Sequence, residues 1–294
     1  MYLRDPRTVF GQSWTRTAGA IVFVLSGAVN ATAAGEITFA PHRAVYDVTL
    51  ARAAPGSGVN DMTGRLVYEL KGSACEGYTQ SMRFVTTSSS SDGSEQVNDM
   101  RSTSFEEAAG RRLKFNTTQY RDEQIAEVTQ GQAGRRGADG EVNVELTKPE
   151  SRALSLPGTV YFPIQHSIAM LEAAKAGKQL FVADVYDGSE KGDKVSATST
   201  VIGPARDQAK DKLLPGLANA ERLKALKFWP IATSYFEKDK SFDKKDSLPN
   251  YEMAAHFYEN GVSTRLVMDY GDFSLKGELT ELTFLDAPAC AAQK

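Results

Sequence analysis

Two cysteines and three histidines are the residues of this 294-residue chain best suited to chemistry, and their spacing limits what they can do. Cys75 sits in KGSACEGYTQ, a polar turn between two strand-like runs, and Cys290 lies in DAPACAAQK near the far end. There is no CxxC and no HExxH, and His42, His166 and His256 stand far apart, so no metal-ligand pattern is present. No GxSxG elbow and no glycine-rich phosphate cradle occurs either. A Ser-His-Asp set needs only convergence in space. A hydrolase with an unrecognised site, built on His166 or His256, therefore stays open as an alternative. As two thiols without metal partners, Cys75 and Cys290 read either as one bridge or as free or intermolecular thiols.

Each histidine has two readings. His166 falls on a predicted helix, roughly opposite the Ile164, Ile168 and Leu171 stripe. It either faces a cavity or bonds a neighbouring strand or loop, as buried polar groups normally do. The second reading also suits His42, just before the first strand, and His256, in AAHFYENG. The aromatic residues from Trp229 to Phe284 read either as a groove for an acyl chain or peptide, or as ordinary sheet core.

The elements that must position these residues are mostly strands. AVYDVTL, GRLVYELK, YTQSMRF, RLKFNT and EVNVEL alternate apolar and polar residues with a period of two, which predicts half-buried antiparallel strands. Turn residues separate the runs at PGSG (55–58), SSSSDGS (88–94), ADG (138–140) and YENG (258–261). From YENG onward the chain reads as successive hairpin strands. Gly277 marks a shift of apolar phase and predicts a bulge or bend there. Pro163 opens a predicted helix that Gly177 closes, and a second short helix is predicted over 218–227. The charged stretches 203–212 and 237–246 read as wet loops.

The chain's start reads as a targeting segment. Arg4, Arg7 and Arg16 precede the apolar run AGAIVFVLSGAV, and Ala31-Thr32-Ala33 fits a small-x-small cleavage site. Residues 1–33 are therefore expected to be a signal peptide, cleaved after Ala33 or Ala34. Residues 34–294 are expected to form a single domain with no transmembrane segment. The net charge of −3 is mild and nothing resembles a basic nucleic-acid face. An exported chain enters an oxidising space, which favours the bridge over free thiols.

Several stretches together resemble the EipB family, the cell-envelope integrity proteins of Gram-negative bacteria. They are APHRAVYDVTL, LPGTVYFPIQH, VYDGSEKGDK, WPIATSYF and the closing run YENGVSTRLVMDYGDFSLKGELTELTFLDAPAC. The resemblance spans essentially the whole mature chain. It implies an all-β fold with a few helices, in which two curved antiparallel sheets form a β-spiral or broken barrel around a core helix. It also implies that Cys75 and Cys290 match the family's disulfide pair. Further, it implies a periplasmic location and a non-enzymatic role in envelope integrity under stress, without cofactor. A lipid, lipoprotein segment, peptide or periplasmic protein is the expected partner.

Overall fold

Alternation of side chains decides which face of each strand is dry. In β1 (His42–Ala53), Ala44, Tyr46 and Val48 are almost wholly buried on one face, and Asp47 is exposed on the other. The computed structural model describes residues 37–136, 140–207, 217–238 and 248–290. The expected leader, the turn at 138–139 and most of the two charged loops lie outside these residues.

The strands after β1 are β2 (Val59–Ser73), β3 (Gly77–Ser90), β4 (Glu95–Glu106), β5 (Arg112–Arg121), β6 (Gln124–Arg135), β7 (Val142–Lys148) and β8 (Arg152–Leu156). Helix α1 (Pro163–Lys175) follows, then β9 (Leu180–Val185), β10 (Ser196–Ile202) and the two-residue β11 (Arg206–Asp207). A four-residue helix, α2 (Glu221–Lys224), precedes β12 (Lys227–Glu237), β13 (Tyr251–Tyr258), β14 (Ser263–Asp269) and β15 (Phe273–Phe284).

Antiparallel pairing runs in the order β8-β7-β6-β5-β4-β3-β2-β1-β15-β14-β13-β12-β10-β9, with β11 beside β12. The chain is thus mostly β, with one large sheet that ends at β8 and β9 and does not close. Where two sheets were expected, hydrogen bonding is continuous, because β1 pairs with β2 on one edge and with β15 on the other. Two arms grow from this seam. One winds through β2–β8, and the other runs back from β15 to β9.

The core follows the arms. A large cluster fills the inner face around the seam, where Ala44, Tyr46, Val48, Leu275, Leu279 and Leu282 are at most 3% exposed. A smaller cluster of Leu113, Phe115, Val142, Val144 and Leu146 lies under β5–β7 and includes Phe162 and Tyr186. Helix α1 joins the two. Ile164, Leu171 and Ala174 belong to the large cluster, while Phe162, just before the helix, belongs to the small one.

Two sequence expectations shift. The second helix shrinks to Glu221–Lys224, because the chain is already pairing as β12 at Lys227, where Phe228 is fully buried opposite Tyr258. The phase shift in β15 falls at Thr280 rather than Gly277. The register passes from Tyr46–Leu279 to Val45–Glu281, and the Thr280 hydroxyl donates to the Val45 carbonyl at 3.2 Å. Gly277 stays in phase, and it is small because a Cβ there would lie 3.2 Å from that of Leu266. Pro230 sits inside β12. It lies where the β10 ladder has ended at Ile202 and β11 has not begun, so its missing N–H leaves no ladder bond unmade.

Beyond the seam, the Leu285 N–H donates to the Pro41 carbonyl at 2.9 Å, and the tail runs on to the β2–β3 turn. There Cys290 and Cys75 form a disulfide with Cα atoms 5.8 Å apart, closing a separation of 215 residues. Constraining so long a loop stabilises the fold by up to about 5 kcal/mol in the chain-entropy model. Urea unfolding of Cys75→Ser, or of the native chain with reductant, should show a lower midpoint. Equal midpoints with and without reductant would contradict this role.

Candidate functional site

Helix α1 begins without a cap of its own. Phe162 at the N-cap is extended and offers no side-chain acceptor, although Pro163 suits the first position. The cap comes from the other arm. Glu106, the last residue of β4, accepts the Ile164 N–H at 2.7 Å and the Gln165 N–H at 2.9 Å, one on each carboxylate oxygen. Gln165 completes the contact by donating its amide to the Ala108 carbonyl at 3.2 Å. A carboxylate here also complements the positive end of the helix dipole.

Glu106 is only 1% exposed. Burial raises its pKa to about 7, against the two backbone N–H donors and the charge of Arg135, which favour the ionised form. Arg135, at the end of β6, donates to the carbonyls of Gly158 and Val160 and lies over the Phe162 ring at 5.4 Å. One half-buried cation thus holds the segment that enters the helix, and one buried carboxylate holds its first turn.

The other side of α1 meets the second arm. His166 lies 3.1 Å through Nε2 from the Thr198 hydroxyl on β10. That hydroxyl gives its one proton to the Ala183 carbonyl at 2.8 Å, so Nε2 must carry the hydrogen and donate. Burial lowers the His166 pKa to about 4, so the ring is neutral at neutral pH. Its other neighbours are the Tyr161 and Phe181 rings. This is the hydrogen-bonded reading of the sequence.

The three histidines do not converge on one bonded network. His42 donates from Nδ1 to the Ala40 carbonyl at 2.7 Å beside Tyr68, and His256 stacks on Phe228 at 4.6 Å. Among the described residues no group of three or more His, Cys, Asp or Glu is arranged to hold a metal. Cys75 and Cys290 are brought together, as oxidised sulfur rather than as thiols.

The inner face is not equally filled along its length. Across β2, β3 and β4 the register sets Tyr68 beside Met82, and Phe84 beside Met100. All four side chains are half-buried, whereas their counterparts at the seam are closed off. Burial pushes the Tyr68 phenol up to about 12, and its oxygen accepts from the Gln80 amide at 3.0 Å. The half-covered strip that these four side chains form is the recess of the inner face. The polar groups of the recess pair with one another, as in Thr117 to Ser102 at 3.0 Å. The recess is an apolar strip with a satisfied polar margin, suited to holding an apolar group rather than to breaking bonds.

The aromatic residues between Trp229 and Phe284 divide between the core and its margin: Trp229 and Tyr258 are core, while Tyr251, Phe257 and Phe273 are half-buried against it. Glu106 and Arg135 were missed. The available signal was phase: Met100, Ser102, Ser104 and Glu106 share the inner face of β4, which puts a charge on a dry side.

The two buried ionisable groups that anchor α1, Glu106 from β4 and His166 on the helix itself, predict opposite pH effects. His166, at about 4 when folded and 6.5 when free, leaves the unfolded chain binding the extra proton. Stability is therefore lost as pH falls from 6.5 to 4, by up to about 3 kcal/mol. His42, also lowered, acts in the same direction. Glu106, at about 7 when folded, gives the folded chain the extra proton, so its contribution rises as pH falls from 7 to 4.5. Melting curves should show His166→Gln losing less stability than the native chain below pH 6.5, and Glu106→Gln losing more. Glu106→Ala should cost about 3 kcal/mol at neutral pH by stranding two buried N–H groups.

A family model described as EipB-like matches residues 33–286. The chain is 37% identical over 271 residues to the cell envelope integrity protein EipB of Brucella abortus (strain 2308), covering 92% of this chain and 93% of that one. It also superposes with a TM-score of 0.75 on a crystal structure from Brucella abortus, described as a beta-barrel-like protein of a domain of unknown function. That match has 34% identity and covers 84% of this chain and 99% of the other. A family match over most of the length, with a relative alike end to end, gives one conclusion: this chain belongs to the EipB-like family.

Proposed function

We propose that the mature chain is a periplasmic, non-enzymatic protein that maintains envelope integrity under stress by holding an apolar partner in the recess of its inner face. The partner is a lipid, a lipoprotein segment, a peptide or the apolar surface of another protein. The observation that carries this reading is the half-open strip of Tyr68, Met82, Phe84 and Met100, beside a seam that is closed. The name of the Brucella relative, a cell envelope integrity protein, supports the envelope role.

In this reading residues 1–33 are a leader cleaved after Ala33 or Ala34, and the family match begins at residue 33. The disulfide suits an oxidising compartment. Among the described residues no helix is long and apolar enough to cross a membrane. The two arms curl toward each other as the walls of a broken barrel about α1. The bonds from Glu106 on one arm and Thr198 on the other to the same helix support that shape.

Deleting the gene should sensitise cells to detergent and to cell-wall antibiotics, and the native gene should restore resistance. Met82→Asp, which places a charge in the recess without touching the seam, should restore it poorly while melting within a few degrees of the native protein. Native mass spectrometry of protein purified from the periplasm should show a co-purifying ligand that Met82→Asp loses. Unchanged growth of the deletion strain under all these stresses would refute the role, and full rescue by Met82→Asp would refute the recess as its seat.

A further inference from the structure

Four aromatic rings form a continuous run at one end of the inner face, on the arm opposite the Met82 strip. Tyr235 on β12 lies directly across from Tyr251 on β13, with ring centroids 5.5 Å apart. Tyr251 is 5.0 Å from Tyr270, in the β14–β15 turn. Tyr270 stacks on Phe273 at 5.0 Å and 22°. The run grades outward from half-buried Tyr235 and Tyr251 to Tyr270, which is 38% exposed.

The hydroxyls of these three tyrosines distinguish the run from ordinary core. Among the described residues nothing hydrogen-bonds to them, although no fully buried polar side-chain atom lacks a partner. Their oxygens therefore sit at accessible surface, in surroundings dry enough to raise the phenol pKa values, that of Tyr235 to about 12. Elsewhere the tyrosines of the inner face are satisfied within the protein, as Tyr46 is by the Ser263 carbonyl and Tyr68 by Gln80.

Nearby charge narrows the ligand. Arg52 is engaged by Asp269 and the Gly271 carbonyl, Lys238 by Asp184, and Lys194 by Glu190 and Glu237. The Asp187 carboxylate is close enough to Tyr235 to help raise its pKa. Each of these three described cations is thus already engaged by a carboxylate. A hydrocarbon chain would cover the rings but strand three hydroxyls away from water. A sugar ring satisfies both demands, with apolar C–H faces for the aromatic planes and hydroxyls around its edge for the phenols.

We propose that Tyr235, Tyr251, Tyr270 and Phe273 form a saccharide subsite that takes a neutral, β-linked oligosaccharide of gluco-configured pyranose rings. Their equatorial substituents leave both ring faces flat enough to stack. The exposed Tyr270 ring is the platform, and Tyr251 and Tyr235 supply hydroxyl contacts deeper in. The subsite is independent of the Met82 recess.

Calorimetric titration of the purified, disulfide-intact protein with the β-1,4-linked tetramer of N-acetylglucosamine should give saturable binding. Tyr270→Ala should weaken it about fivefold, the scale of one aromatic contact. Tyr251→Phe, which keeps the ring and removes only the hydroxyl, should weaken it about threefold. Met82→Asp should leave it unchanged, so failure of the recess and failure of this subsite are told apart. Absence of saturable binding would overturn the proposal, as would native affinity in Tyr270→Ala at an unchanged melting temperature.

Discussion

The carboxylate of Glu106 is the contact on which the arrangement of the two arms depends. A helix start needs acceptors for its free N–H groups, and the residues just before α1 provide none. Because the acceptor comes from β4, α1 is fixed to the first arm. Its opposite side then meets β9 and β10 through His166, Thr198 and Phe181. The helix is thus hydrogen-bonded to a strand of each arm, by Glu106 to the first and by His166 to the second. Its burial is unfavourable by itself, and two backbone donors with Arg135 nearby offset part of that.

The distribution of packing follows from this. Around the seam the inner face is filled by its own side chains, and under β5–β7 it is filled by the segment that enters α1. Between these two filled regions the side chains of β3 and β4 meet less cover. Met82, Phe84 and Met100 owe their accessibility to position rather than to residue type, since the same types elsewhere in the sheet are closed off, as Met62 and Met268 are. The openness of the strip is therefore a matter of where it lies in the sheet.

Much of the fold was legible in the sequence, for a physical reason. Strands with one wet face announce themselves by alternation, as β1, β2, β5 and β7 do, and α1 by its proline, apolar stripe and closing glycine. β4 was harder to see because its dry face carries Met100, Ser102, Ser104 and Glu106, and pairing with β3 and β5 makes it a strand. The extent of α2 was misjudged because the pull of Phe228 into the core outweighs the helix preference of the residues before it. The clasp on α1 was invisible, since nothing local in SFEEAAG says which helix its carboxylate will meet. The cysteine pair was readable as far as compartment and parity allow, and the resemblance named it.

The seam also orders events in time. β1 is made first and β15 last among the strands, yet they are hydrogen-bonded neighbours over eleven residue pairs. Until synthesis is nearly complete, one edge of β1 offers its N–H and C=O groups to any strand that arrives. The wrong partner is always available sooner than the right one. The seam is a contact between segments far apart in sequence, the kind of pairing that slows folding in general. The Cys75–Cys290 bond, which native contacts can set only after the seam has zipped, marks the molecules that chose correctly.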